Sequence, residues 1–253
     1  MSTGRRNFVI RFLAGLSAAA LAGCDAITNS QWGSKVLRVG EGANRGAQRA
    51  LTGKSRLAQE FSEVDLSPDF RSNGTSEPND LAYQNLARDQ FQNWTLKIDG
   101  LVQTPKQLSL AQLRMMKSRT QITRHDCVEG WSAIGKWTGV PLGDVLALAQ
   151  PQPSARYVVF HCADPMDADG TRYYESIGLE DAHHPQTILA YELNGAALPV
   201  KNGAPIRVRI ERQLGYKMAK YIMRIELVAD FKAIAGGRGG YWEDQGYEWY
   251  AGI

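Results

Sequence analysis

From Trp94 onward short strand-like runs and helical pieces follow one another without a regular strand–helix–strand alternation, and this irregularity limits the fold more than any other feature. Trp94-Thr95-Leu96-Lys97-Ile98 alternates as a half-buried strand does and is ended by Asp99-Gly100. Ser109 ahead of Leu110-Ala111-Gln112-Leu113 reads as a capped helix start, its oxygen available to an orphan backbone N–H. Further strands are expected at 156–161, around 206–210 and at 221–228. Mixed elements of this kind predict an α+β domain rather than a doubly wound one. No Gly-x-Gly-x-x-Gly follows a strand, and Gly236, Gly237, Gly239 and Gly240 come late with no helix after them. A nicotinamide-binding fold is thereby disfavoured.

The first 23 residues read as a leader. They carry Arg5 and Arg6 as a pair, Arg11, no acidic residue, and an apolar stretch from Phe12 to Gly23. That stretch is too short for a bilayer span, which needs roughly 20 apolar residues. It resembles a twin-arginine export signal. Leu21-Ala22-Gly23-Cys24 resembles a lipobox, and Asp25 then resembles an inner-membrane retention signal. Acyl chains on Cys24, at about 0.8 kcal/mol per buried methylene, would hold the protein on the periplasmic side of the inner membrane. Residues 24–60 are rich in Gly, Ser, Asn, Gln and Arg and read as a tether and extended arm, leaving 61–253 as the folded domain.

Without the leader, three of the 29 basic residues disappear and the remainder equal the 26 acidic ones. Nucleic acid is a poor partner for a chain with no positive excess. At 43% hydrophobic and 22% charged, the 253 residues are those of a chain with a large core.

Three cysteines occur, and if Cys24 is lipidated only Cys127 and Cys162 remain. Cysteine counting in an exported chain leaves a disulfide between them open. Cys127, however, sits in Thr123-Arg124-His125-Asp126-Cys127-Val128-Glu129-Gly130-Trp131. Cationic neighbours favour thiolate, the form that ligates soft metals or attacks electrophiles. His125 and Glu129 are equally readable as supporting or structural residues. His161, His183 and His184 are too scattered for a zinc site and read as capping or packing residues.

The run from Arg124 to Leu142, with its closing Trp-x-Gly-x-Pro-Leu turn at Trp137 to Leu142, resembles the cysteine segment of the sulfite oxidase family of molybdenum enzymes, in particular its periplasmic methionine sulfoxide reductase branch. The likeness continues through Tyr173 to Ile177, His184-Pro185, Tyr191 to Gly195, Leu198-Pro199, Asn202 to Arg207 and Gly215 to Lys220. It implies an α+β molybdenum-cofactor domain with mixed sheets; sulfite oxidases add a C-terminal immunoglobulin-like dimerisation domain, for which this chain has no room after Lys220, so a monomer is expected. It implies Mo-molybdopterin as cofactor, Cys127 as metal ligand and Tyr173 beside the reacting oxygen. Asn73, Cys162, Asn202, Arg207, Met218, Ala219 and Lys220 then fall at cofactor-binding positions. Arg207 offers a bidentate fork and Lys220 a compact charge to a pterin phosphate.

The implied reaction is two-electron oxygen-atom transfer, the metal cycling between +4 and +6. Where sulfite oxidases place Ala-Gly-Asn-Arg after the cysteine, this chain has Val128-Glu129-Gly130-Trp131. A sulfite anion loses its arginine donor there and meets a carboxylate, which favours a neutral sulfoxide-type small-molecule substrate. No Cys-x-x-Cys-His haem motif occurs, so a membrane or soluble cytochrome is the expected electron partner. Two other classes stay open: a hydrolase with Cys127 as nucleophile and His125 or His161 as base, and a molybdopterin-binding electron relay without turnover. The glycine-rich and aromatic 236–243 reads as a C-terminal strap in preference to a cover over the active-site mouth.

Overall fold

The alternation at Trp94 to Ile98 is realised as strand β1 (Thr95–Gly100), which turns Leu96 and Ile98 fully inward. The computed structural model describes residues 56–253 together with the single position Gly46. The expected leader, Cys24 and the arm up to residue 55 lie outside those residues. Residues 56–253 belong to one compact unit.

β1 pairs antiparallel with β2 (Lys106–Ser109) and parallel with β10 (Ile222–Val228). β5 (Tyr157–Pro165) and β6 (Arg172–Gly178) complete a five-stranded mixed sheet in the order β2-β1-β10-β5-β6. Helix α1 (Leu81–Arg88) starts at Asp80, whose carboxylate accepts the Tyr83 N–H at 2.8 Å. Helix α2 (Leu110–Met115) has the expected Ser109 cap: its hydroxyl accepts the Gln112 N–H and the Gln112 side chain returns to the Ser109 N–H.

A second sheet holds β3 (Arg119–Asp126), β4 (Ser132–Pro141), β7 (Ile188–Leu193) and β8 (Ala196–Ala197) in that order, with β9 (Arg207–Arg209) on the free side of β7. Helix α3 (Leu142–Ala149) is apolar enough to bury Leu142, Val145 and Leu146 completely against the first sheet's core of Leu96, Ile98, Val158, Phe160 and Ile225. A smaller core of Phe70, Trp137, Ile188 and Leu193 lies under the second sheet. Short helices α4 (Leu179–Ala182) and α5 (Tyr241–Asp244) complete the elements named here. Among the described residues no helix is long and apolar enough to cross a membrane.

The mixed α+β architecture is the expected one. The strand expected at 221–228 begins one residue later because Tyr221 is left-handed, φ 55°, with its hydroxyl donating to the Thr75 carbonyl at 2.8 Å. The 206–210 strand is only the three residues of β9. Before β3, Glu60 bridges Thr123, and the Ala58 backbone exchanges two hydrogen bonds with the Gln186 amide, at 2.7 and 3.1 Å.

Candidate active site

β3 brings Arg124, His125 and Asp126 to its end, and the chain reverses there into β4. The reversal is closed by the Cys127 N–H to the Trp131 carbonyl (2.9 Å) and the Gly130 N–H to the Cys127 carbonyl (3.0 Å). Gly130, at φ +85°, supplies the left-handed residue the turn requires. The turn presents Cys127, Val128 and Glu129 to a cleft of about 720 Å³, open mouth included.

Cys127 is 8% exposed. Burial pushes its thiol up, the Glu129 backbone N–H opposes this, and the charges of Arg71 and Arg207 help bring it down while the Glu129 charge adds to the rise. Cys162, in the core on β5, is pushed up strongly by burial. Both are free thiols, so the disulfide left open by cysteine counting is not formed.

Opposite, β6 supplies Tyr173, whose buried hydroxyl donates to the Tyr216 carbonyl. A close-packed turn, Gly215–Lys217, leads into Met218 and Lys220 on the cleft wall. A Cβ on Gly215 would lie 2.4 Å from His125 Nε2, so only glycine lets the turn approach the imidazole. Lys220 Nζ donates to the Asn73 carbonyl at 2.6 Å and to the Thr75 carbonyl; burial and the nearby Arg207 charge pull its pKa down to about 7. Asp164 lines the same cleft, pushed up by burial to about 6.

Behind this wall lies a buried cationic layer. Arg207 donates to the Asn202 and Met218 carbonyls at 3.1 and 3.3 Å, with its guanidinium 5.2 Å from the Trp137 ring centre. Arg209 stands over the same ring at 4.5 Å and is matched by Glu211 at 2.6 Å. Arg207 has no such match; burial and Arg209 lower it to about 9. Among the described residues neither Arg207 nor Lys220 has a carboxylate within ion-pair distance. Buried cations without anions are costly. Arg207 Nε, Asn73 Oδ1 and Asp164 Oδ1 are also buried without a hydrogen-bond partner. The residues therefore fit a ligand that is anionic and rich in donors and acceptors.

Of the sequence-predicted residues, Cys127, Tyr173, Asn73, Met218 and Lys220 line the cleft. Arg207 and Asn202 stand behind it, Asn202 donating to the Phe70 carbonyl at 3.4 Å, and Ala219 is buried between the two wall residues. Cys162 is enclosed by the core, while Asp164, two residues on in β5, reaches the cleft. Sequence reasoning missed Asp164, Thr75, Met166, Tyr216 and Tyr247 as lining residues.

The histidines are engaged elsewhere. His125 is fully buried, its Nδ1 accepting from Arg209 at 2.9 Å, and burial and the Arg209 charge push its pKa well below the usual value. His161 lies against Glu226 at 2.9 Å, His183 against the Leu179 carbonyl and His184 against the Arg56 carbonyl. The hydrolase reading needs a low-pKa thiol with a free imidazole beside it, and neither condition is met. The 236–243 strap does more than expected: Ser176 donates to the Gly239 carbonyl, Gly240 bridges Glu175, and Trp242 stands in the cleft wall.

A mixed sheet, a second sheet that is antiparallel throughout, a cysteine turn and a buried cationic layer beneath one cleft define an α+β cofactor-binding domain. Residues 83–233 match the oxidoreductase molybdopterin binding domain family, and the chain belongs to it. A protein of Azospira oryzae provisionally named protein-methionine-sulfoxide reductase subunit YedZ1 is 35% identical over 98% of this chain and 87% of its own length. Two proteins named protein-methionine-sulfoxide reductase catalytic subunit MsrP are similar over shorter spans. The Xanthomonas axonopodis pv. citri protein is 42% identical over 53% of this chain, and the Ralstonia nicotianae protein 36% over 66%. The chain spans about half the length of these two, 45% and 53%. A chain of the sulfane dehydrogenase SoxCD from Paracoccus pantotrophus is 23% identical with a TM-score of 0.49, over 55% of this chain and 39% of that one.

Proposed function

We propose that this chain is the catalytic part of a molybdenum-cofactor sulfoxide reductase, with Cys127 as the protein's ligand to the metal. The observation that carries this is the cleft itself: a buried cysteine in its wall, and behind it two buried cations that lack carboxylate partners. Arg207 and Lys220 would hold the phosphate of the cofactor, aided by Asn202 and the Met218–Lys220 stretch, and Asn73 and Asp164 offer acceptors to its hydrogen-bonding edges. When bound, the cofactor supplies two-electron oxygen-atom chemistry at molybdenum. Burial keeps the Tyr173 hydroxyl protonated, its pKa well above the usual value, and in the cofactor-free cleft its proton is held by the Tyr216 carbonyl. Met166, Tyr216 and Trp242 line the cleft and would narrow the space open to water once the cofactor is bound.

The reaction consumes two electrons and two protons, converting a sulfoxide and releasing a sulfide and water. The relatives' names support sulfoxide over sulfite, as does the carboxylate of Glu129 in the cleft wall. Electrons come from a separate redox partner, in keeping with the word subunit in those names. We also place the protein on the periplasmic face of the inner membrane, exported by its paired arginines and anchored at Cys24, as a monomer. Labelled palmitate incorporated into the wild type and absent from Cys24→Ser checks the anchor.

The decisive test is metal analysis of protein made in a molybdopterin-competent host. About one molybdenum per chain, lost in Cys127→Ser, is the expected result. Full occupancy in that variant would overturn the ligand assignment. Reduced viologen as donor with a sulfoxide, and ferricyanide as acceptor with sulfite, then fix the direction of catalysis. Metal without turnover in either assay would favour the relay reading.

A further inference from the structure

The family match ends at residue 233, yet part of the cleft's outer wall comes from beyond it, as the rings of Trp242 and Tyr247. These rings are fixed rather than draped. Trp242 and Tyr247 lie 5.3 Å apart at an interplanar angle of 30°, and Tyr247 meets Tyr216 edge-on, also at 5.3 Å. The Tyr216 hydroxyl donates to the Glu248 carbonyl at 2.7 Å, and the Tyr247 N–H to the Trp242 carbonyl at 2.9 Å. Beneath them Glu243 is drawn into the core by Lys217, which also holds Glu175 at 2.5 Å.

We propose that Trp242, Tyr247, Tyr216 and Met166 form the subsite that takes the apolar substituent of an uncharged sulfoxide, and that this chain therefore prefers sulfoxides bearing a bulky alkyl or aryl group. This rests on the sulfoxide reductase reading and sharpens it. A sulfoxide carries positive charge on sulfur and on the adjoining C–H groups, and aromatic faces attract both. The polar lining argues against an anionic substituent. Glu129, on the turn that carries Cys127, presents its carboxylate to the same space. An aromatic wall in a lining that also carries a carboxylate suits the apolar end of an uncharged group.

The test uses the cofactor-loaded protein. Reduction of methyl p-tolyl sulfoxide and of dimethyl sulfoxide by reduced viologen is compared in the wild type, Trp242→Ala, Trp242→Phe and Tyr247→Ala. Binding of methyl p-tolyl sulfone, which is not reduced by oxygen-atom removal under these conditions, is measured by calorimetry in parallel. The wild type is expected to favour the aryl sulfoxide. Trp242→Ala should lower the aryl-to-dimethyl ratio of kcat/KM about tenfold, as expected for losing a buried aromatic contact, with the loss in KM, and weaken the sulfone by a similar factor. Trp242→Phe should recover most of both. An unchanged ratio and unchanged sulfone affinity in Trp242→Ala and Tyr247→Ala overturn the subsite. If the wild type reduces neither sulfoxide, yet sulfone binding still falls tenfold in Trp242→Ala, the reductase reading fails and the subsite stands. Should Trp242→Ala lose its molybdenum, Trp242→Phe and Tyr247→Ala carry the same comparison.

Discussion

Lys220 and Asp164 face one cleft with pKa values displaced in opposite directions, and each leaves a signature on the stability of the cofactor-free chain. Each unit of pKa corresponds to about 1.4 kcal/mol. For Lys220, lowered from 10.5 to about 7, the unfolded chain binds more protons between those values. Its cost to the fold is thus largest near pH 7 and below, and stability is recovered as pH rises toward 10.5. Asp164 is raised from 3.8 to about 6, so its contribution is fully present below about pH 4 and is lost as pH rises through 6. In denaturant titrations of cofactor-free protein, Lys220→Met should be at least as stable as wild type at pH 7, with the difference shrinking by pH 10. Asp164→Asn should remove a fall in stability between pH 4 and 6. A wild type less stable at pH 10 than at pH 7 relative to Lys220→Met would contradict the assignment. Lys220 was readable in the sequence because a cation within a block resembling a cofactor segment has few other roles. Asp164 was not, since a single aspartate near a strand end looks like an ordinary solvated residue.

Among the elements, α5 depends on a charge cluster that no local pattern announces. Lys217, Glu175 and Glu243 come from the 215–217 turn, β6 and α5, and none is more than 1% exposed. Burial drives Glu175 well above the usual carboxylate range, and the two carboxylates drive Lys217 up. Lys217→Met would leave two carboxyls facing each other in the core, a loss of about 3–5 kcal/mol. Glu243→Gln keeps the Lys217–Glu175 pair and should cost clearly less. Thermal unfolding ranks the two, and limited proteolysis should cut near residues 236–240 in Lys217→Met first. Gly215 sets a second dependence between elements. Gly215→Ala must push the turn away from His125 on β3, at about 1–3 kcal/mol for overpacking, and should lower molybdenum content along with the melting temperature. The sequence showed β1, α2 and β5 because each carries its own periodicity or cap. It did not show the strap's second role, because burial of Glu243 is decided by partners 26 and 68 positions earlier in the chain.

For the molecule as a whole, the balance of acidic and basic residues after residue 23 hides two buried cations without a paired carboxylate. Among the described residues Arg207, Arg209, Lys217 and Lys220 are buried cations, and of these four only Arg209 and Lys217 are paired with carboxylates. Composition speaks of a surface property and said nothing of this interior, since a count of charges carries no depth. The same asymmetry makes the cofactor part of the fold's energetics. Any anion that binds the native state beside Arg207 and Lys220, and not the unfolded chain, stabilises by mass action, by about 2.7 kcal/mol at a hundred times its dissociation constant. Cofactor-free protein should therefore melt higher as inorganic phosphate is raised at constant ionic strength. Chloride at the same ionic strength should do less, because a monovalent sphere lacks the paired oxygens that match a guanidinium fork. Arg207→Met combined with Lys220→Met should abolish the phosphate dependence while leaving the double variant folded, since an apolar pair replaces two unmatched charges. A phosphate-induced rise that survives in the double variant would place the anion elsewhere and remove the electrostatic argument for the cofactor's phosphate at this wall.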